Sequence, residues 1–172
     1  KKKEEYFTGN IPWLTARELE NIYKYDSIDK ITDKAIKESA AKIIEPGSLL
    51  LGMYDTAALK STINKVKLSC NQAIAFSKLD EEKADTLFIY YAIQLGKTYF
   101  KRMQRGVRQK NMNLSMIRNL EIMNPPLKLQ HKFSSIIDKL ECQKNQAQHS
   151  FQKSEELFNS LLQKAFKGEL VE

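Results

Sequence analysis

A chain of 172 residues, 42% apolar and 28% charged, has room for one ordinary domain or a smaller domain with an appendage, and gives no case for disorder. The net charge of +7 is concentrated: Lys97, Lys101, Arg102, Arg105, Arg108, Lys110 and Arg118 lie in a window without Asp or Glu, so the rest of the chain sums to zero. The longest apolar run, residues 88–95, is too short to cross a bilayer, and Lys1-Lys2-Lys3-Glu4-Glu5-Tyr6 does not open a secretory signal.

In chain order, residues 11–15 predict a short strand and residues 16–22 a turn of helix. Thr32 or Asp33 can cap a short helix over residues 34–40. Glu45-Pro46-Gly47 predicts a turn between two buried strands, at 42–44 and 48–51, and further strands are expected at 61–68 and 71–77. Asp80 reads as the N-cap of a helix over 81–103, with Glu81 and Glu82 at the positive end of its dipole. Leu87, Tyr90, Tyr91 and Leu95 would form its apolar side. Residues 104–113, polar, basic and centred on Gly106, read as a loop.

Beyond Pro126 the pattern changes. Phe133, Ile137, Leu140, Lys144, Ala147, Phe151, Ser154, Phe158, Leu161 and Ala165 alternate at spacings of four and three, an a/d heptad seam without Gly or Pro until Gly168. About 40 residues at 1.5 Å each make a rod of roughly 60 Å, longer than a domain of this size covers. Such a helix calls for a second helix; folding back on its own domain is the alternative. The expected organisation is therefore α+β: a mixed α/β domain over residues 1–123, then a hinge and a long coiled-coil helix over 124–172.

Three motifs suggest chemistry and stop short of it. Asn124-Pro125-Pro126 is most of the Asn-Pro-Pro-aromatic signature of adenine N-methyltransferases, but Leu127 replaces the aromatic and the six glycines form no G-x-G for S-adenosylmethionine. Gly96-Lys97-Thr98 ends like a P-loop, but Tyr91 stands where its first Gly belongs. Asp80, Glu81, Glu82 and Asp85 serve a helix start, with no second cluster to complete a metal centre. Cys70 and Cys142 form no C-x-x-C, and with only His131 and His149 beside them no zinc site is expected. Two cysteines fit reduced thiols in a cytoplasmic protein. No catalytic residue, metal or cofactor is expected in this chain.

The basic window suggests a polyanion, since Lys and Arg that neutralise phosphates release condensed counterions; a solvated helix face is the alternative, though such faces usually mix both signs.

Five words along the chain then carry a resemblance. Gly9-Asn10-Ile11-Pro12-Trp13-Leu14-Thr15, "ITDKAIKESAAKIIEPGSLLL" from Ile31, Cys70-Asn71-Gln72-Ala73-Ile74, Gln109-Lys110-Asn111-Met112-Asn113-Leu114, and "IMNPPLKLQHKF" from Ile122 with the long helix after it are similar, in that order, to segments of the specificity subunit of type I restriction-modification systems. Gln130 matches the family's hinge Gln, while Leu129 stands where the family usually carries Glu.

The resemblance implies a non-catalytic subunit that recognises bipartite double-stranded DNA and holds modification methyltransferase subunits. These bring S-adenosylmethionine, and a restriction/translocase subunit can join. A full-length subunit has two recognition domains and two antiparallel helices. One of each implies half of a longer subunit, or a half-subunit that pairs with a second copy of itself, with the usual first residues of the recognition domain missing.

Base-reading candidates must be polar and close to the basic stretch, where Arg can pair with guanine and Gln or Asn with adenine. Arg105, Arg108, Gln109, Lys110 and Asn111 come first, with Gly106 allowing close backbone approach. Tyr54, Thr56 and Lys60 come second. Gln72 either reaches a base edge or is a sheet-edge amide; Arg17 meets a base or a phosphate; Trp13 reads as core. Lys97, Lys101 and Arg102, on the helix side, read as phosphate clamps. Phe133, Ile137, Leu140, Ala147, Phe151, Phe158 and Leu161 should form the helical seam. The competing reading is a non-catalytic module that binds RNA or an acidic protein, with the helix as an oligomerisation arm.

Overall fold

The computed structural model describes residues 4–54, 58–103 and 112–169, with the side chains of residues 101–103 outside that description. The chain divides into two compact units, Lys1–His131 and Lys132–Glu172. The fold is α+β with a long C-terminal helix.

The first unit holds two small sheets. In one, β1 (Ile11–Leu14) lies between β3 (Asp29–Ile31), antiparallel, and β6 (Ser69–Cys70), parallel. In the other the order is β2 (Tyr23–Lys24), β5 (Ser61–Asn64), β4 (Leu49–Gly52), β7 (Ile74–Ser77). There β4 is antiparallel to both neighbours, and β2 is parallel to β5. Leu14, Leu19, Ile44, Leu50, Leu68, Cys70 and Ile74 form the core cluster. Burial pushes the Cys70 thiol up to about 12, which keeps it protonated and unreactive. Gly9 is explained by close approach: a Cβ there would sit 2.1 Å from the Ile31 carbonyl oxygen, so β3 packs against the Gly9 backbone only if that position has no side chain.

Several elements differ from expectation, each for a local reason. The helical turn at 16–22 is a 3-10 turn, Ala16–Glu18, closed by the Glu18 carboxylate on Thr15. The short helix α1 spans Asp33–Glu38, with Thr32 as its cap. Residues 42–44 contribute only Ile44, bridged to Leu68, so Pro46-Gly47 does not join two paired strands. What holds that turn is Asn64. Its buried amide accepts from Ser48 N at 2.8 Å and lies 2.9 Å from the carbonyls of Glu45 and Val66 and 3.3 Å from that of Ile44.

Asp80 does not start the following helix. Its carboxylate and carbonyl accept from Glu82, Lys83 and Ala84 and close a separate turn. The helix α2 is Thr86–Met103, capped by Asp85 on Phe88 N at 2.9 Å. Its buried side is Leu87, Tyr90, Ile93 and Phe100, while Leu95 is 82% exposed. Gly96-Lys97-Thr98 lies inside this helix. A further short helix, α3 (Leu114–Arg118), was not expected; Asn113 caps it on Met116 N.

The two prolines stop one segment and start another. Helix α4, Leu127–Phe166, begins one residue after Pro126, whose carbonyl accepts from Leu129 and Gln130. Gln130 is fully buried. Its oxygen accepts from Asp85 N at 2.9 Å, and its nitrogen donates to Asn124 Oδ1 at 2.9 Å and to the Pro125 carbonyl at 2.7 Å. The Asn of the apparent methyltransferase motif is thus occupied in bolting the hinge to the start of α2.

Among its described residues the second unit is α4 followed by a turn at 167–169. From Cys142 to Phe166 every residue is exposed in this chain, among them Ala147, Phe151 at 65%, Phe158 at 61% and Leu161 at 45%. Leu140 is 53% exposed; Phe133 and Ile137 are half-buried. Ile136, Leu157, Leu162 and Phe166 broaden the apolar stripe.

Candidate nucleic-acid interface

Strand register decides which connections leave the first unit together. Trp13 faces both Asp29 and Ser69, so the end of β1, the end of β6 and the start of β3 lie at one end of their sheet. In the other sheet, Gly52 faces Ile74 and Leu51 faces Ser61, so β4 ends where β7 and β5 begin. The short turn 71–73 links β6 to β7 and so joins the two sheets at this same end. Backbone bonds fasten it: Asn71 N donates to Leu14 O at 3.1 Å, and Met53 N to Ala73 O at 2.9 Å.

The candidate residues sort themselves on this end. Arg17 is exposed on the 3-10 turn between β1 and β2. Tyr54, 39% exposed, and Lys60 flank the connection between β4 and β5, while Gln72 is exposed on the turn between β6 and β7. Gln72 is therefore on a turn, outside any strand edge. Trp13 is half-buried within β1. Met112, the first described residue after the basic segment, is buried at this end, and its N–H donates to Met53 O at 2.7 Å. A single backbone unit, Met53, thus pins both the 71–73 turn and the exit of the basic segment.

Thr56, Arg105, Arg108, Gln109, Lys110 and Asn111 lie outside the described residues, as do the side chains of Lys101 and Arg102. Lys97 is half-buried on α2. One turn earlier, Gln94 Nε2 donates to Leu59 O at 3.1 Å and to Ser61 Oγ, which fixes the helix against the start of β5. Leu59 itself is fully buried with φ 63°, a strained left-handed conformation for a branched side chain, clamped by its N–H on Gly52 O. Sequence reading missed Gln94, Leu59, Met53 and Glu18; only Glu18 left a signal, as the second half of the capping box Thr15-x-x-Glu18.

Charges at this end are partly spoken for. Lys60 Nζ, half-buried, is 3.7 Å from Oε1 of the exposed Glu20, a surface pair that a phosphate can displace at little cost. Glu18 works inward. Burial would raise its pKa, but the N–H groups of Thr15 and Ile28, the Thr15 hydroxyl and Lys24 hold the carboxyl below its ordinary range. Among the described residues no cluster of His, Cys, Asp and Glu could hold a metal ion, and no helix is long and apolar enough to cross a membrane.

The sequence pattern described as the type I restriction modification DNA specificity domain matches residues 1–157. The chain belongs to that family. A curated relative, the type I restriction enzyme MjaIX specificity subunit of Methanocaldococcus jannaschii, is 28% identical over 141 residues, 79% of this chain and 32% of the relative. Among solved structures, a chain from work on complex assembly and conformational transition of the type I R-M system aligns with a TM-score of 0.62 at 16% identity, over 95% of this chain and 40% of that one. The HsdS subunit from Thermoanaerobacter tengcongensis aligns with a TM-score of 0.58 at 13% identity, over 94% and 38%. The specificity-domain chain thus spans about a third of its curated relative and two fifths of these neighbours, and the structural likeness at such identities is one of fold.

Proposed function

We propose that this chain carries one recognition domain and one long helix of a specificity subunit, as half of a longer subunit or as a half-subunit: residues 1–123 read one half of a bipartite double-stranded DNA site, and residues 124–172 are hinge and ruler. The observation that carries this is the match of the specificity-domain family over residues 1–157. The convergence of Arg17, Tyr54, Lys60, Gln72 and the exit of the basic segment on one end of the sheets supports it. Arg108, Arg105, Gln109, Lys110 and Asn111 are assigned to base edges, and Lys97, Lys101 and Arg102 to phosphates.

The chain does no chemistry in this reading. A modification methyltransferase subunit binds S-adenosylmethionine and flips the target adenine, while this domain holds the duplex in register. A restriction/translocase subunit joins the same assembly in the cytoplasm. The exposed stripe of the helix pairs with a second copy or a second half-subunit. A homodimer places two identical readers about a two-fold axis and favours a palindromic bipartite site.

The test is binding of the full chain to a selected duplex, a scrambled duplex and an RNA of equal length across a salt series. Arg108→Ala should relax preference at one base position. Lys101→Ala should weaken every duplex alike and reduce the salt slope by about 1. RNA competing as well as the selected duplex, or methyl transfer by the chain alone with S-adenosylmethionine, would sink the proposal.

A further inference from the structure

The four-residue connection between β2 and β3 presents two apolar side chains to water, Ile28 at 87% exposure and Tyr25 at 63%. Single exposed apolar residues are ordinary at slack loop tips. This tip is not slack. Ser27 is buried, its hydroxyl donates to the Asp29 carbonyl, and its N–H donates to Asp26 Oδ1 at 2.9 Å. Asp26 is in turn 3.2 Å from Lys30 Nζ.

The Ile28 N–H donates to Glu18 Oε1 at 3.0 Å, and the other oxygen of Glu18 accepts from Thr15 N at 3.0 Å and Thr15 Oγ1 at 2.9 Å. One carboxylate therefore ties the loop carrying Ile28 to the turn carrying Arg17. Register agrees: Asp29, directly after Ile28, stands opposite Trp13 at the end of β1 where Arg17 and Gln72 emerge.

Ordering a loop costs chain entropy, and an isoleucine held in water contributes nothing to the core in return. An exposed aliphatic residue on a loop tied to the turn that carries an exposed Arg has a match in the major groove, where thymine offers its 5-methyl group and guanine its two acceptors. We propose that Ile28 is a specificity-determining residue that makes van der Waals contact with the 5-methyl group of a thymine, next to the base or phosphate engaged by Arg17. The inference rests on the reading of this chain as a DNA recognition domain. A protein partner fits less well, because Ile28 and Tyr25 flank a buried serine and form no broad apolar face.

The experiment selects duplexes from a random-core library with the full chain, then replaces each thymine of the enriched duplex in turn by deoxyuridine, which deletes only the methyl. At one position the replacement should weaken binding about fourfold, the worth of one buried methyl group. Ile28→Ala should bind the thymine and uracil duplexes alike at that position and keep the other preferences. Its fold can be checked by melting followed through Trp13, the one tryptophan.

Wild type indifferent to every thymine replacement, or an unchanged thymine-to-uracil ratio in Ile28→Ala, overturns the inference and leaves the DNA reading standing. So does a variant that keeps all base preferences but loses capture of a methyltransferase subunit. A library that yields no enriched sequence overturns the DNA reading itself.

Discussion

Leu50 and Phe151 are both large apolar residues, and the protein treats them in opposite ways. Leu50, with no exposure, sits mid-strand in β4 between β5 and β7; Phe151 is 65% exposed on α4. The contrast extends to polar groups. In the first unit the amides of Asn64 and Gln130 are fully buried, and each bonds to several partners. In the second, Gln152 reaches only Glu156 one turn on, and Ser154 returns its hydroxyl to Ser150 O. The core of the first unit satisfies its apolar and polar groups at these positions, whereas the helix carries an apolar stripe that a single copy leaves in water. That stripe is the surface the proposed pairing with a second helix would bury.

The largest effect should come from breaking closure in the first unit. Asn64→Ala leaves the buried Ser48 N–H and the carbonyls of Glu45 and Val66 without their partner, which should cost about 3 kcal/mol or more. Urea unfolding followed by Trp13 fluorescence measures it; a loss under about 1 kcal/mol would mean that the amide knot is not what holds the Pro46-Gly47 turn. The opposite perturbation is Phe151→Asp. It should leave the Trp13 transition where it is but weaken self-association by roughly 3 kcal/mol, enough to turn a dimer into a monomer in sedimentation at micromolar concentration. A mass unchanged by the substitution would count against a helical seam through Phe151.

How far these contrasts were legible depends on the range of the interactions. The long helix was readable to within a few residues, because its heptad pattern repeats in sequence and needs no tertiary partner to be seen. The strands around Leu14, Leu50 and Ile63 were readable as apolar runs between turn residues. Local competition moved the boundaries: Asp80, expected as the cap of α2, closes its own turn, and Asp85 caps the helix on Phe88 N while its own N–H is held by Gln130, 45 residues away. The apolar side of α2 was misjudged at Leu95, since a moment over one helix cannot tell which neighbouring residues meet β5. The candidate residues were chosen by type and from the resemblance. Their convergence was not readable, because it follows from the register of Trp13 against Ser69 and of Gly52 against Ile74, between segments far apart in sequence.

The smallest effect separates the two units by pH. Glu18 has its carboxyl held below the ordinary value of 4.5, burial being outweighed by the N–H groups of Thr15 and Ile28, the Thr15 hydroxyl and Lys24. A carboxylate with a depressed pKa contributes stability that is fully present above its unfolded value and is lost as pH falls through its folded value. Glu18→Gln keeps the shape but accepts with one oxygen where the carboxylate uses two, so the variant should be less stable than wild type at neutral pH. That gap should close as pH drops from about 4.5 downward. The Trp13 transition is the readout, because Trp13 lies two residues before the Thr15 that Glu18 binds. Helix association through Phe151 involves none of these groups and should show no matching change between wild type and variant. A gap that stays constant down the acid range would mean that the charge of Glu18 adds nothing to those bonds, and that shape alone ties Arg17 to the Ile28 loop.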